Sequence, residues 1–198
     1  MLVATDDQRI VEAVAGTGAR TVLTAPACGS GTERLAAALV QEPHDADVVV
    51  NVQGDEPLIL REAVVGAIGR VAAGDDVGTA AGVLESGALR DPNRVKVEVD
   101  SRGRAVRFFR TPRAAACPSG HGVFHHIGVY AYRPAALVRW VGLPAVAEER
   151  DERLEQLRPL AHGMTIGVAL LRQPPPPGVD TEDDLRTVER HLEVLTGG

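Results

Sequence analysis

Residues 48 to 59, VVVNVQGDEPLI, constrain this chain more than any other stretch. They run from an apolar strand straight into Gly54, Asp55, Glu56 and Pro57. A continuous apolar run suits a strand covered on both faces in an α/β sheet. A strand with only a structural task could end in any polar turn. Here a glycine that permits close backbone approach is followed by a proline that stiffens the exit. Asp55 then stands at the carboxyl end of a strand, where open α/β sheets place their ligands. A carboxylate on such a perch is a candidate metal ligand, and alternation turns its neighbour Glu56 elsewhere.

The flanking pattern supports an α/β fold with a mostly parallel sheet flanked by helices. Strands are expected at Leu2–Thr5, Arg20–Leu23, Val48–Gln53 and Gly78–Val83, with helices over 7–16, 30–40 and 60–73 between and after them. Ser30 and Glu33, and later Thr181 and Asp184, have capping-box spacing. VKVEVDSRGRAVRFFR alternates on both sides of Ser101-Arg102-Gly103 and predicts an antiparallel hairpin. A loop rich in Pro, Gly and Ala follows over 112–122, then a strand over 124–132, a short helix over 134–141 and a longer helix over 151–162. A strand in MTIGVALL, a stiff PPPPGVD connector and a helix over 181–195 complete the pattern. If uncovered, the hairpin and the strand after it would expose Phe108, Phe109, Val129 or Tyr130, so a homodimer is expected.

Composition narrows the function. No shift in it divides the 198 residues, so a single domain with one sizeable core is expected. A net charge of −6 argues against nucleic acid as partner, although arginines can still converge locally on a small anion. Cys28 and Cys117 lack metal-ligand spacing and read as reduced thiols. No apolar run approaches the roughly 18 residues of a membrane span, and no signal peptide opens the chain, so a cytoplasmic protein with no membrane partner is expected. Of the 21 basic residues only Lys96 is lysine, which singles out that ammonium without assigning it a task.

VATDD, SGTERLA, VVVNVQGDEPLI, DPNRVKV, HHIGVYAYR, LEQLR and GVDTEDDL follow one another from Leu2 to about Val188. Their order and approximate spacing resemble those of 3-deoxy-manno-octulosonate cytidylyltransferases, with NVQGDEP and GVDTEDDL together the most specific part. The resemblance implies a Rossmann-like nucleotidyltransferase fold, with a small antiparallel dimerisation subdomain at about residues 95–132. It also implies transfer of CMP from CTP to the anomeric hydroxyl of an acidic sugar, release of pyrophosphate, and Mg²⁺ as cofactor.

On this resemblance Asp55 and Asp180 would hold the metal and, with Lys96, form the catalytic set. Ser30, Gly31, Thr32 and Gly54 would meet the nucleotide. Gln53, Arg110, His126, Glu155 and Gln156 would meet the acidic sugar, an arginine fork suiting its carboxylate and the imidazole and amides its hydroxyls. Taken as residues alone, Asp55 equally suits a turn, Asp180 a helix start, Ser30 a cap, Gln53 a buried amide and His126 a satisfied structural group. The chain also departs from the family pattern. Cys28-Gly29 replaces the first two residues of HQSGT, and Phe108-Phe109-Arg110 stands for FSR. The family's N-terminal strand and its PARxxSxRLPGKPL loop, whose Arg and Lys clamp the triphosphate, have no counterpart in these residues. Little transfer activity is therefore expected of the 198-residue form itself. Three readings stand open: an enzyme whose start lies one βα unit upstream, an inactive family member, and a subunit that depends on an intact partner. The altered residues also leave open a different acid acceptor, such as a phosphonate.

Overall fold

The computed structural model describes residues 1–42, 44–112 and 120–196. Cys117 and most of the loop expected over 112–122 lie outside these residues. In chain order the elements are β1 (Leu2–Thr5), α1 (Gln8–Val14), β2 (Arg20–Leu23), α2 (Gly31–Gln41), β3 (Val49–Val52), α3 (Arg61–Ala72) and β4 (Val77–Gly82). Then come β5 (Lys96–Val99), β6 (Ala105–Phe109), β7 (Gly122–Tyr132), α4 (Pro134–Val141), α5 (Ala147–Glu152), α6 (Leu157–Ala161), β8 (Ile166–Leu170) and α7 (Glu182–Thr196).

Local chemistry sets the helix boundaries. Thr181 and Asp184 form the reciprocal box, each side chain accepting from the other's backbone N–H, at 2.9 and 3.2 Å. Ser30 accepts from the Glu33 N–H at 3.2 Å, but the Glu33 carboxylate reaches back to Gly29, not to Ser30. The single helix expected over 151–162 is instead two, because Arg153 adopts a left-handed conformation, φ 54°, that no α-helix continues.

The sheet is mixed. β1 and β2 pair in parallel as a two-stranded unit, and β4 and β8 pair in parallel within a six-stranded one. β7 runs antiparallel to β3, β4 and β5. The hairpin forms as the alternation demands, with β5 and β6 antiparallel and Gly103 at φ +74° in its turn. β7 shows why alternation matters. Ile127, Val129 and Ala131 face α3 and its buried Ala63, Ala67 and Val71. Tyr130 and Tyr132 face the opposite way, onto Leu137 and Trp140 of α4. α3 lies so close to the sheet that a Cβ on Gly78 would stand 1.9 Å from the Ala67 carbonyl oxygen.

One expectation fails. Phe108, Phe109, Val129 and Tyr130 are all buried within this one chain, between 0 and 5% exposed, so they form no apolar patch that needs a second copy to cover it. The hairpin folds back onto the main core, where Phe108 packs edge-on against His126.

The hairpin turn is also tied down by charge. The Asp75 carboxylate, 2% exposed, accepts from Arg104 Nε at 2.7 Å and pairs with Arg70 at 2.7 Å. Gly167 leaves the room for it, since a Cβ there would stand 2.1 Å from Asp75 Oδ2. Asp75→Asn leaves two guanidiniums without their anion. Because both are partly hydrated, the expected cost is about 2 kcal/mol, not the full penalty of a buried pair. A melting temperature lower by about 4–8 °C should follow, measured by calorimetry.

Candidate active site

A cavity of about 1790 Å³ opens along β3 and its exit, walled by residues of β1, the start of α2, β7, the α5–α6 segment and the connector into α7. Its geometry begins with one backbone bond. The Val179 N–H donates to the Asp55 carbonyl at 2.8 Å, and a Cβ on Gly178 would come within 3.0 Å of the same oxygen. Glycine at 178 therefore lets the connector close onto the strand exit, while Pro175–Pro177, also on the wall, keep it stiff. Asp180 is thereby delivered beside Asp55. No salt bridge among the described residues engages either carboxylate. Crowding by the wall, with the charge of Asp180 added, raises the Asp55 pKa.

The exit of β3 is fastened to β7 at Gly128. Gln53 N–H donates to the Gly128 carbonyl at 3.1 Å, and Glu56 Oε1 accepts from the Gly128 N–H at 2.8 Å. Glu56 is thus a strut for the strand exit, yet it lines the same cavity as Asp55 rather than turning elsewhere, and burial, with the charges of Asp55 and Asp180 added, raises its pKa. Around Gly54 there is open space, with no atom within 4 Å of where a Cβ would be. Among the described residues nothing fills that space, so the face that Gly54 leaves open belongs to the cavity.

The other expected residues divide. Ser30, Gly31, Gln53, Arg110, His126, Glu155 and Gln156 all line the cavity with Asp55 and Asp180. Thr32 does not: it is wholly buried behind the wall. Tyr132 lies beside Thr32 and Asn51 there, and burial raises its pKa and keeps it neutral. Arg110 reaches the carbonyls of Pro92 and Asn93 at 3.2 and 3.4 Å, bonds that orient its guanidinium without neutralising it. In His126, Nε2 lies 2.9 Å from Thr79 Oγ1. That hydroxyl donates its own hydrogen to the Val129 carbonyl at 2.7 Å, so the imidazole must be the donor through Nε2–H. Burial pushes the His126 pKa down to about 3, so the ring stays neutral at physiological pH.

Lys96 lies apart from the cavity. Its side chain is fully buried and Nζ donates to the carbonyls of Asp91 and Arg94, each at 2.7 Å, and to that of Arg110. Desolvation lowers its pKa, yet the three acceptors give an ammonium the partners it needs. The lysine gathers the loop that carries Arg110.

The family model described as Cytidylyltransferase matches residues 1–166. A 3-deoxy-manno-octulosonate cytidylyltransferase of Rhodospirillum centenum is 46% identical over all of this chain and 79% of its own length. The same enzyme of Gemmatimonas aurantiaca is 42% identical over 98% of this chain and 78% of its own. The chain belongs to the 3-deoxy-manno-octulosonate cytidylyltransferase family. Within it, a CMP:2-keto-3-deoxy-manno-octonic acid synthetase solved in complex with CTP superposes with a TM-score of 0.84 at 32% identity, over 96% of this chain and 79% of that one. An inositol-1-phosphate CTP transferase from T. maritima, at 13% identity and a TM-score of 0.57, shares the fold alone.

Sequence reasoning missed some members of this cytidylyltransferase wall. Asn51, Arg94, His125, Arg150, Arg153 and Asp184 all line the cavity. Asn51 stood in plain sight as a polar residue inside an apolar strand. Arg153 carried no signal, because the helix break that exposes it is not written in a Gly or Pro.

Two expectations follow. Lys96→Met should leave three partly buried carbonyls without their ammonium partner, cost about 3 kcal/mol and lower the melting temperature by about 6–12 °C, read by calorimetry. Asp55 has a folded pKa above its unfolded value, so its ionisation in the fold is penalised once pH exceeds the unfolded carboxylate pKa. Metal-free Asp55→Asn should therefore melt above the parent at pH 7, and the difference should vanish as pH falls below the carboxylate range. Fluorimetric melting from pH 3 to 8 checks the sign.

Proposed function

We propose that this chain transfers CMP from CTP to an acidic sugar, 3-deoxy-manno-octulosonate or a near relative, releasing pyrophosphate with Mg²⁺ as cofactor. One observation carries the reading. Two unpaired carboxylates, Asp55 and Asp180, are held side by side by the Val179–Asp55 bond, in a cavity whose wall also presents arginines. Mg²⁺ takes one or two carboxylates together with phosphate oxygens and water, which suits this donor set. When bound, the ion would offset the charge that develops on the phosphate oxygens during transfer.

The chain's own residues supply position. The acceptor's anomeric oxygen forms a bond to the α-phosphorus, the bond from that phosphorus to the bridging oxygen breaks, and pyrophosphate leaves while the hydroxyl proton is lost. Ser30, Gly31 and Gly54 offer backbone and a hydroxyl to the nucleotide. Arg110 faces the acid's carboxylate, and Gln53, His126, Glu155 and Gln156 face its hydroxyls. Lys96 acts through Arg110 as a positioning residue, since Nζ bonds the Arg110 carbonyl. The reading includes a cytoplasmic homodimer. No helix among the described residues is long and apolar enough to cross a membrane, which fits a cytoplasmic site. Among the described residues β6 ends the sheet path, with only an isolated Arg104–Gly167 bridge beside it and Val106 exposed, which fits a second copy at the hairpin.

Because little transfer is expected of the 198 residues by themselves, pyrophosphate release from CTP and the acid, measured with a form that also carries the family's PARxxSxRLPGKPL loop, tests the reaction. Asp55→Asn and Asp180→Asn should each cut kcat by about 10²–10³-fold with little change in KM for the acid, because the lost charge acts mainly in the transition state. Near-parental turnover of either variant at limiting Mg²⁺ would overturn the metal assignment.

A further inference from the structure

Arg153 closes α5 with φ 54° and ψ 49° and is the only non-glycine residue among the described ones at positive φ. A Cβ crowds the following carbonyl in this conformation, and glycine would occupy it without strain. Residues held in such strain concentrate at functional sites. The turn it makes separates α5 from α6 and sets Arg153 on the wall of the main cavity, two positions before Glu155. It also borders a second cavity of about 360 Å³, whose wall it shares with Arg110.

The state of the other cavity arginines singles it out. Arg34 is spent on Thr24 and Asp6, Arg94 on Glu85 and Asp91, and Arg158 on Glu149 and Glu33. Arg110 meets only carbonyl oxygens through its guanidinium. Arg153 has no ion pair or side-chain hydrogen bond among the described residues. Arg150 is likewise unpaired, but it does not border the cavity that joins Arg153 to Arg110. Arg110 and Arg153 thus share the wall of one small cavity, one guanidinium anchored by carbonyls and one free to turn. Asp151 and Glu152 share that wall, and Glu152 accepts from the Arg110 backbone N–H at 3.2 Å, but among the described residues neither guanidinium is in an ion pair with them.

We infer that Arg153 is a specificity-determining residue which, with Arg110, grips the carboxylate of the acceptor and selects an acid over a neutral sugar. This rests on the acidic acceptor proposed above. A carboxylate accepts two parallel N–H bonds from one guanidinium, a geometry that an ammonium cannot reproduce. Strain at 153 is tolerated because glycine, though relaxed there, would carry no fork.

Calorimetric titration with 3-deoxy-manno-octulosonate and with its methyl ester tests this on the parent, Arg153→Gly and Arg153→Lys. The parent should prefer the acid. Arg153→Gly should lose about 10- to 100-fold in affinity for the acid, the worth of one charged hydrogen-bonding group. It should lose little for the ester, and it should melt at or above the parental temperature because the left-handed strain is relieved. Arg153→Lys should fall between them. Unchanged acid affinity in Arg153→Gly, an equal loss for acid and ester, or a parent that binds no acid would each overturn the assignment. A parent that binds the acid through Arg153, yet whose loop-bearing form releases no pyrophosphate from CTP, would defeat the proposed transfer and leave this assignment standing.

Discussion

Much of this structure hangs on the pairing of β7. On one edge the strand holds β4 from Tyr132 back to His125. Its other edge is shared: β3 occupies Val129–Tyr132 and β5 occupies Gly122–His125. Between these partners the edge is interrupted, and there His126 and Gly128 line the cavity. A slip of one residue would turn Ile127, Val129 and Ala131 away from α3 and drive the two tyrosines from α4, so the register is strongly determined. The same register places the exit of β3, and therefore Asp55, where Gly128 can fasten it.

Satisfied and unsatisfied charge separate scaffold from site. Asp75 sits between two arginines, and Lys96 donates to three carbonyls. His126 is neutral and committed to Thr79. These groups stabilise the folded chain because each buried polar atom has its partner inside. Asp55 and Asp180 differ: a backbone bond holds them near each other, and the charge of Asp180 adds to the burial that raises the Asp55 pKa. Arg110 and Arg153 are their cationic counterpart elsewhere on the wall. A cavity that keeps charge of both signs suits the phosphates and the carboxylate of the substrates proposed for it.

Residues that serve the site also serve the fold. Ser30 caps α2 and lines the cavity; Gly178 lets the connector close and so delivers Asp180. This double duty explains why the motifs could be read both as turn chemistry and as ligand chemistry. Both solved structures match 96% of this chain, but at 32% identity the CTP-bound synthetase shares sequence as well as fold, whereas at 13% the inositol-1-phosphate CTP transferase keeps only the architecture. A fold of this kind hosts more than one cytidylyl acceptor, and the identity of the acceptor lies in side chains at the wall.

By itself the sequence determined the elements whose signals are local. β1 and β2 follow from short apolar runs, the hairpin from alternation around Gly103, and α7 from Thr181 and Asp184. VVVNVQGDEPLI and GVDTEDDL also marked the two aspartates, since a strand exit and a helix start are written in adjacent residues. Only the tertiary structure decided the rest. β7 is antiparallel to β3, which no property of VVVNV reveals, because an apolar run reads alike in either direction. Thr32 turns into the core although it stands within SGTERLA, and Lys96 is drawn to two carbonyls of the segment just before it and to that of Arg110 beyond the hairpin. Phe108 and Phe109 are covered by their own chain and not by a partner, because the hairpin folds back over the core. Arg153 breaks a helix that its neighbours would continue, and no intrinsic propensity records it. Hydrogen bonds between residues tens of positions apart, and the burial that follows from them, exist only once the chain has closed on itself.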